Sequence, residues 1–205
     1  MTDSQFWDGR YAEPGFTYGV EPNEFLASMV SEIPSGPVLS LGDGEGRNAV
    51  FLARRGYDVT AVDQSAVGLE KVRRLAEENG VTVNTVQADL AEFNVVPTSW
   101  SAIISIFCHL PAVIRLPLHS AVVSGLVKRG LFIIESFTPE QAGRDTGGPP
   151  EPDMLVSLKQ LRSELTPLEI IHGSEMERNV RSGTLRCGGL AFVVQAAARK
   201  MEADD

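Results

Sequence analysis

The chain has 205 residues, 43% of them apolar, enough for one full core and too few for several domains. Its formal net charge of −9 and pI near 4.9 argue against nucleic acid as a partner, because phosphates demand basic surface. Two cysteines, Cys108 and Cys187, are too few for a disulfide framework and suit a reducing compartment. No apolar run approaches the ~20 residues of a membrane span, and MTDSQFWDGR lacks the basic-then-apolar pattern of an export signal. The expectation is a single cytoplasmic domain over residues 1–205, monomer or homodimer, with no membrane or nucleic-acid partner.

Residues 1–36 precede the first strand and hold six of the fourteen aromatics: Phe6, Trp7, Tyr11, Phe16, Tyr18 and Phe25. Pro14, Gly15, Gly19 and Pro22 break this stretch into turns, and residues 23–30 read as a short helix. Such a segment is either a packed cap on a sheet edge or a lid over a small-molecule site.

Residues 37–41 (PVLSL) form a short apolar run of the kind buried in a parallel sheet. Gly42, Gly44 and Gly46 then alternate in a loop that lets a ligand lie against the backbone. Residues 48–55 read as a helix stopped by Gly56, residues 57–62 as the second strand, and Asp63 stands at its carboxyl end. Gly42 and Asp63 are 21 residues apart, near the roughly 20-residue spacing that puts an acid on a ribose in nucleotide-binding βαβ units. The loop is not the dinucleotide fingerprint, whose third glycine would fall at Arg47. Asp43 and Glu45 flank Gly44 where a pyrophosphate would pass, and negative charge there favours a sulfonium or an amino group instead.

Ser65 caps an expected helix at 66–79, with Leu69, Val72 and Ala76 inward and Glu70, Lys71, Arg73, Arg74, Glu77 and Glu78 as a solvated face. Residues 81–87 alternate as a third strand, followed by Ala88, Asp89 and Leu90. Residues 100–107 (WSAIISIF) are almost continuously apolar, as a central fourth strand should be. Ligands of doubly wound sheets bind at the carboxyl strand ends beside the switch in strand order, which places Phe107, Cys108 and His109 nearest a transferred group. His109 reads as a hydrogen-bonded capping residue or a general base, and Cys108 as a small buried residue. A helix at 112–126, a turn at 128–130 and a fifth strand at 131–137, ending on Glu135 and Ser136 facing the same cleft, follow. Residues 138–152 form a long Gly- and Pro-rich loop, then come a helix at 154–164 and strands at 168–172 and 189–197, joined across a wide loop at 173–188. His109, His119, His172 and the cysteines show no zinc-type spacing, so no metal is expected.

The stretch LGDGEGRNAVFLARRGYDVTAVDQS resembles the first motif of class I S-adenosylmethionine-dependent methyltransferases. The pattern W-D-x-R-Y, F-x-Y-G and P-N-x-F-L before it resembles the amino-terminal segment of tellurite-resistance- and thiopurine-type small-molecule methyltransferases. The resemblance implies an α/β fold: a Rossmann-like, doubly wound, mostly parallel seven-stranded sheet with a C-terminal antiparallel hairpin. Residues 1–36 become its cap or lid and residues 37–205 its core. It implies S-adenosyl-L-methionine as cofactor, with S-adenosyl-L-homocysteine as product. Gly42, Gly44 and Gly46 would bear the amino-acid portion, with Asp43, Arg47 and Asn48 beside them. Asp63 would hold the ribose, next to Gln64 and Ser65, while Asp89 and Leu90 would hold the adenine. Phe107, Trp7 and Tyr11 complete the implied cofactor contacts; His109, Tyr18 and Arg10 are the implied catalytic candidates, and Asn23 a further pocket residue. Ser40 departs from the pattern, since most of that family carries an acid there that helps hold the amino-acid end. The implied acceptor is a small molecule, with a thiol or a chalcogen oxyanion such as tellurite or selenite favoured. Three other readings stay open: a non-catalytic S-adenosylmethionine-binding protein; an NAD-type oxidoreductase, against which the loop's glycine spacing and acidity count; and a methyltransferase of a different acceptor class, such as a carboxylate or a protein side chain.

Overall fold

A computed structural model of the protein describes residues 3–180 and 189–202. Seven strands form one sheet: β1 (Pro37–Leu41), β2 (Asp58–Asp63), β3 (Asn84–Gln87), β4 (Trp100–Ile106), β5 (Leu126–Phe137), β6 (Glu169–Val180) and β7 (Gly189–Arg199). Their order is β3-β2-β1-β4-β5-β7-β6, and β7 runs antiparallel to both its neighbours while the other pairings are parallel. The expected doubly wound, mostly parallel sheet with a C-terminal antiparallel hairpin is the one observed. The switch in strand order falls between β1 and β4, so the glycine loop after β1 and Phe107 after β4 open onto one crevice.

Helices cover both faces: α3 (Arg47–Ala53) and α4 (Ala66–Glu78) on one, α5 (Ala112–Gly125) and α6 (Leu158–Glu164) on the other. Successive strand residues serve opposite cores. Val38, Ile104 and Ile133 pack with Leu52 and Val72, whereas Leu39, Ile103 and Phe132 pack with Leu118 and Val122. Burial on both faces is why these strands read as apolar runs rather than alternating ones.

The structure departs from the expected elements at several places. A helix, α1 (Asp3–Tyr11), occupies part of the stretch read as turns. Its sequence has little helical amphipathy; tertiary contacts of Asp8 and Tyr11 hold it, as is usual for a short helix. The second helix, α2 (Glu24–Met29), starts as expected under an Asn23 cap whose side chain accepts from Leu26 N–H. Residues 81–83 stay outside β3. The expected turn at 128–130 is a register shift within β5, where Arg129 has φ +63°. Residues 152–154 form a 3₁₀ turn, and α6 begins only at Leu158 behind a Ser157–Gln160 capping box. Strand β6 runs on to Val180, so the first half of the expected wide loop is strand; residues 181–188, with Cys187, lie outside the described residues. Among the described residues no helix is long and apolar enough to cross a membrane.

Helices α5 and α6 are locked by charge. Glu164 meets Arg115 at 3.2 Å and His119 Nδ1 at 2.8 Å, with all three side chains at most 7% exposed. Replacing Glu164 with Ala strands the buried Arg115 charge and is expected to cost about 3–5 kcal/mol of unfolding free energy. Urea denaturation measures it; a loss below about 1 kcal/mol would contradict this reading.

Candidate functional site

The site is built where β1 and β2 end. The Asp63 carboxylate, 6% exposed, accepts the Gly44 N–H at 2.8 Å through Oδ2 and the Ser65 N–H at 2.9 Å through Oδ1. One side chain thus ties the glycine loop to the start of α4. Burial raises the Asp63 pKa above the ordinary carboxylate value, against those two hydrogen bonds, which lower it. Gly44 has φ +66°, and a Cβ there would stand 2.8 Å from the Tyr11 hydroxyl, so both backbone and space require glycine.

The loop acids answer to different partners. Glu45 forms a buried 2.8 Å ion pair with Lys71 and accepts the Tyr18 N–H. Lys71 was expected on a solvated face; it is 8% exposed because its ammonium also donates to the carbonyls of Glu13 and Gly15. Asp43 bends back to β1, where the Ser40 hydroxyl donates to its Oδ1 at 2.6 Å. The other oxygen, Oδ2, is buried without a partner. Ser40 therefore departs from the resembling pattern in sequence, yet a carboxylate from Asp43 stands against it. Burial pushes the Asp43 pKa up to about 6, with the Asp63 charge adding and the Ser40 hydroxyl, the Ala49 N–H and the Arg47 charge opposing.

The amino-terminal segment is docked over this loop. Asp8 accepts from the Ser65 hydroxyl at 2.6 Å and from Val67 N–H, reaching the start of α4. Tyr11, 4% exposed, lies against Gly44 and Gly68 with Trp7 stacked on it at 5.5 Å. Burial and the Asp63 charge raise the Tyr11 pKa well above normal, so it stays a phenol. Arg10 donates to the Tyr18 hydroxyl at 3.0 Å. Asn23 hydrogen bonds through its backbone N–H to Asn48 Oδ1, and through Nδ2 to Glu135 at 2.6 Å.

A cleft of about 440 Å³ opens beside the loop, lined by residues 18–24, Ala27, Arg47, Phe107, Arg178 and Val180. Phe107 holds φ +53°, unusual for an aromatic residue and worth roughly 1–3 kcal/mol of strain, held by its N–H on the Glu135 carbonyl at 2.8 Å. Glu135 was expected to face the cleft; it is fully buried and taken up by Asn23, Arg178 and Gln195. Arg178 escaped the sequence reading because its strand looked like loop.

His109 stacks on Phe137 at 5.1 Å, and its Nδ1 is 3.3 Å from the Ser136 hydroxyl. Burial lowers its pKa to about 4, so it is neutral near pH 7 and a weak base. Cys108 packs on Gly42, and burial with the Asp63 charge raises its pKa to about 12, which keeps it a thiol. Gln64 meets Gln87 through its carbonyl, and Asp89 is exposed and closes a turn on Ala91 N–H. Leu90 is half-buried in the core on the α5 side. No metal-competent cluster occurs among the described residues.

A methyltransferase-domain family model matches residues 38–127. A ubiquinone biosynthesis O-methyltransferase from Rickettsia felis is 32% identical over 95 residues, covering 43% of this chain and 39% of that protein. A 2-heptyl-1-hydroxyquinolin-4(1H)-one methyltransferase from Mycobacteroides abscessus is 25% identical over 167 residues, 78% of this chain and 74% of that one. TehB from Haemophilus influenzae superposes with a TM-score of 0.73 over 96% of this chain and 66% of its own, at 18% identity, a likeness of fold. The matched segment contains the glycine loop, Asp63 and β4, and it is a methyltransferase domain of class I, the S-adenosylmethionine-dependent kind. S-adenosyl-L-methionine is the cofactor of that class, and the residues present fit it. Asp63 is a fixed acceptor for hydroxyls, and the unpartnered Asp43 oxygen suits an ammonium donor.

The docking of the amino-terminal segment is testable. Lys71→Met leaves the buried Glu45 charge without its cation and frees the carbonyls of Glu13 and Gly15. Hydrogen exchange of amides 12–18 should quicken by at least about tenfold, consistent with the loss of a buried pair. Unchanged exchange would show that Lys71 does not hold the segment.

Proposed function

We propose that the protein transfers a methyl group from S-adenosyl-L-methionine to a small-molecule acceptor in the cleft beside Phe107. The observation that carries this is the Asp63 carboxylate, clamped by Gly44 and Ser65 at the end of β2 within the matched domain. When bound, the cofactor supplies an activated methyl on a sulfonium, so the protein's task is near-attack positioning, worth roughly 7–11 kcal/mol at the limit. Asp63 takes the ribose hydroxyls, the Gly42–Gly46 loop with Asp43 takes the amino-acid portion, and Asp89 with Leu90 marks the adenine side. Trp7 and Tyr11 close over the loop and exclude water. Tyr18, held by Arg10, borders the acceptor, and neutral His109 steadies Phe107 and Phe137 rather than taking a proton.

A thiolate or an oxyanion acceptor needs no general base, which agrees with a site whose histidine is neutral and weak. This supports the preference for a thiol or a chalcogen oxyanion such as selenite or tellurite. The relatives named above are, by their names, an O-methyltransferase of ubiquinone biosynthesis and a methyltransferase of a hydroxyquinolone. They support a small organic acceptor in general. The direct test incubates the protein with labelled S-adenosyl-L-methionine and thiols, phenols, selenite and tellurite. Label transfer to one class supports the proposal, whereas binding without transfer to any would favour a non-catalytic binder.

Two predictions concern the cofactor. Asp63→Asn should weaken S-adenosyl-L-homocysteine by about 1–3 kcal/mol, the scale of a lost buried hydrogen bond to a charge; unchanged affinity by calorimetry would remove the ribose assignment. Asp43, with a pKa of about 6, is protonated in part of the population below that pH. A ligand ammonium favours its charged form, so binding must release the proton. Affinity should therefore hold above about pH 7 and fall below pH 6, by up to about tenfold per unit. Asp43→Asn should flatten the profile. A flat wild-type profile would contradict the contact.

A further inference from the structure

We infer that the acceptor is an organic molecule bearing an anionic oxygen group, a carboxylate or an acidic hydroxyl, and that Arg47 receives that group in the cleft. The inference rests on the methyl-transfer reading above and narrows its acceptor. None of Asp63, Gln64, Asp89 and Leu90 lines the cleft, so it lies apart from the nucleoside side. Its walls are apolar at Pro22, Phe107 and Val180, polar at Tyr18, and cationic at Arg47 and Arg178.

The two arginines differ in what they have left to give. Arg178 spends its charge on Glu135, at 2.7 Å, and Glu24, at 2.9 Å. Arg47 makes one hydrogen bond among the described residues, to the Tyr18 carbonyl at 3.1 Å, and no ion pair. Asp43 and Glu135 act on it only at longer range, and Glu21 sits exposed at the rim. A guanidinium taken largely out of water without a counter-ion is costly, and a two-oxygen anion meets its unused donors in a bidentate way. Burial lowers its pKa but leaves it charged.

Size and lining separate the two acceptor kinds considered above. A volume of about 440 Å³ with an aromatic wall is that of a small-organic-ligand site. A bare inorganic oxyanion would leave Phe107, Pro22 and Val180 facing water. In the transfer, a lone pair of the acceptor's nucleophile forms the new bond to the methyl carbon while the carbon–sulfur pair returns to sulfur. An acceptor that enters as thiolate gives up no proton in this step.

The chemistry of a carboxylate is shared with the cofactor's own amino-acid end, and the resemblance placed Arg47 with the cofactor, so the experiment separates the two. Calorimetry compares wild type, Arg47→Lys and Arg47→Gln with S-adenosyl-L-homocysteine and with 5′-methylthioadenosine, which lacks the amino-acid part. The expected result is a less than threefold change for both ligands. A tenfold loss for the first alone would give Arg47 to the cofactor and overturn the inference. In parallel, wild type is assayed with 2-mercaptobenzoate, its methyl ester, selenite and tellurite. We expect a KM at least tenfold lower for the acid than for the ester, a gap lost in Arg47→Gln and partly kept in Arg47→Lys. Equal KM values, preference for the inorganic oxyanions, or no transfer by a protein that binds S-adenosyl-L-homocysteine would overturn it. Failure of wild type to bind S-adenosyl-L-homocysteine would instead remove the reading beneath it. The acid–ester comparison in wild type requires no variant to fold.

Discussion

The pair of hydrogen bonds that Asp63 accepts, from Gly44 and from Ser65, is the constraint on which the site depends. It joins the loop after β1 to the turn after β2, so neither moves without the other. Ser65 in turn caps α4 through its hydroxyl, and the same hydroxyl donates to Asp8 of α1. Four elements are thereby referred to one carboxylate. The clamp still leaves lone pairs on both oxygens, so the same carboxylate can also accept hydrogen bonds from a ligand.

Charge is distributed around that clamp pair by pair. Glu45 is answered by Lys71 and Glu135 by Arg178, both in partly or fully buried positions where an unmatched ion would be expensive. Two opposite charges in the same region, Asp43 and Arg47, form no ion pair with each other or with other described residues. They feel one another electrostatically but stay apart. Asp63 likewise has no counter-ion among the described residues, its oxygens accepting from the Gly44 and Ser65 N–H groups instead, so these charges are open to groups that a ligand could bring.

Much of this was legible in the sequence, for physical reasons. Strands buried on both faces are continuous apolar runs, so β1 and β4 stood out. The glycine loop and Asp63 were readable because spacing along a βαβ unit is dictated by strand and helix length. What escaped was decided by tertiary contact. Helix α1 has no periodic apolar face of its own and is held by Asp8 and Tyr11 on α4 and the loop. Lys71 looked like one more charge on a solvated face until the carbonyls of Glu13 and Gly15 covered it. Arg178 lay in a polar stretch, EMERN, that becomes strand only because β7 pairs with it. Asp43 reaching back to Ser40 depends on the left-handed turn of the loop, which a linear pattern does not reveal.

The central claim is that this loop and Asp63 hold S-adenosyl-L-methionine rather than a dinucleotide. Parallel calorimetric titrations of the wild-type protein with S-adenosyl-L-homocysteine and with NAD test it most directly. The account predicts saturable one-to-one binding of the first and none of the second. Saturable binding of NAD, or of neither, would contradict it.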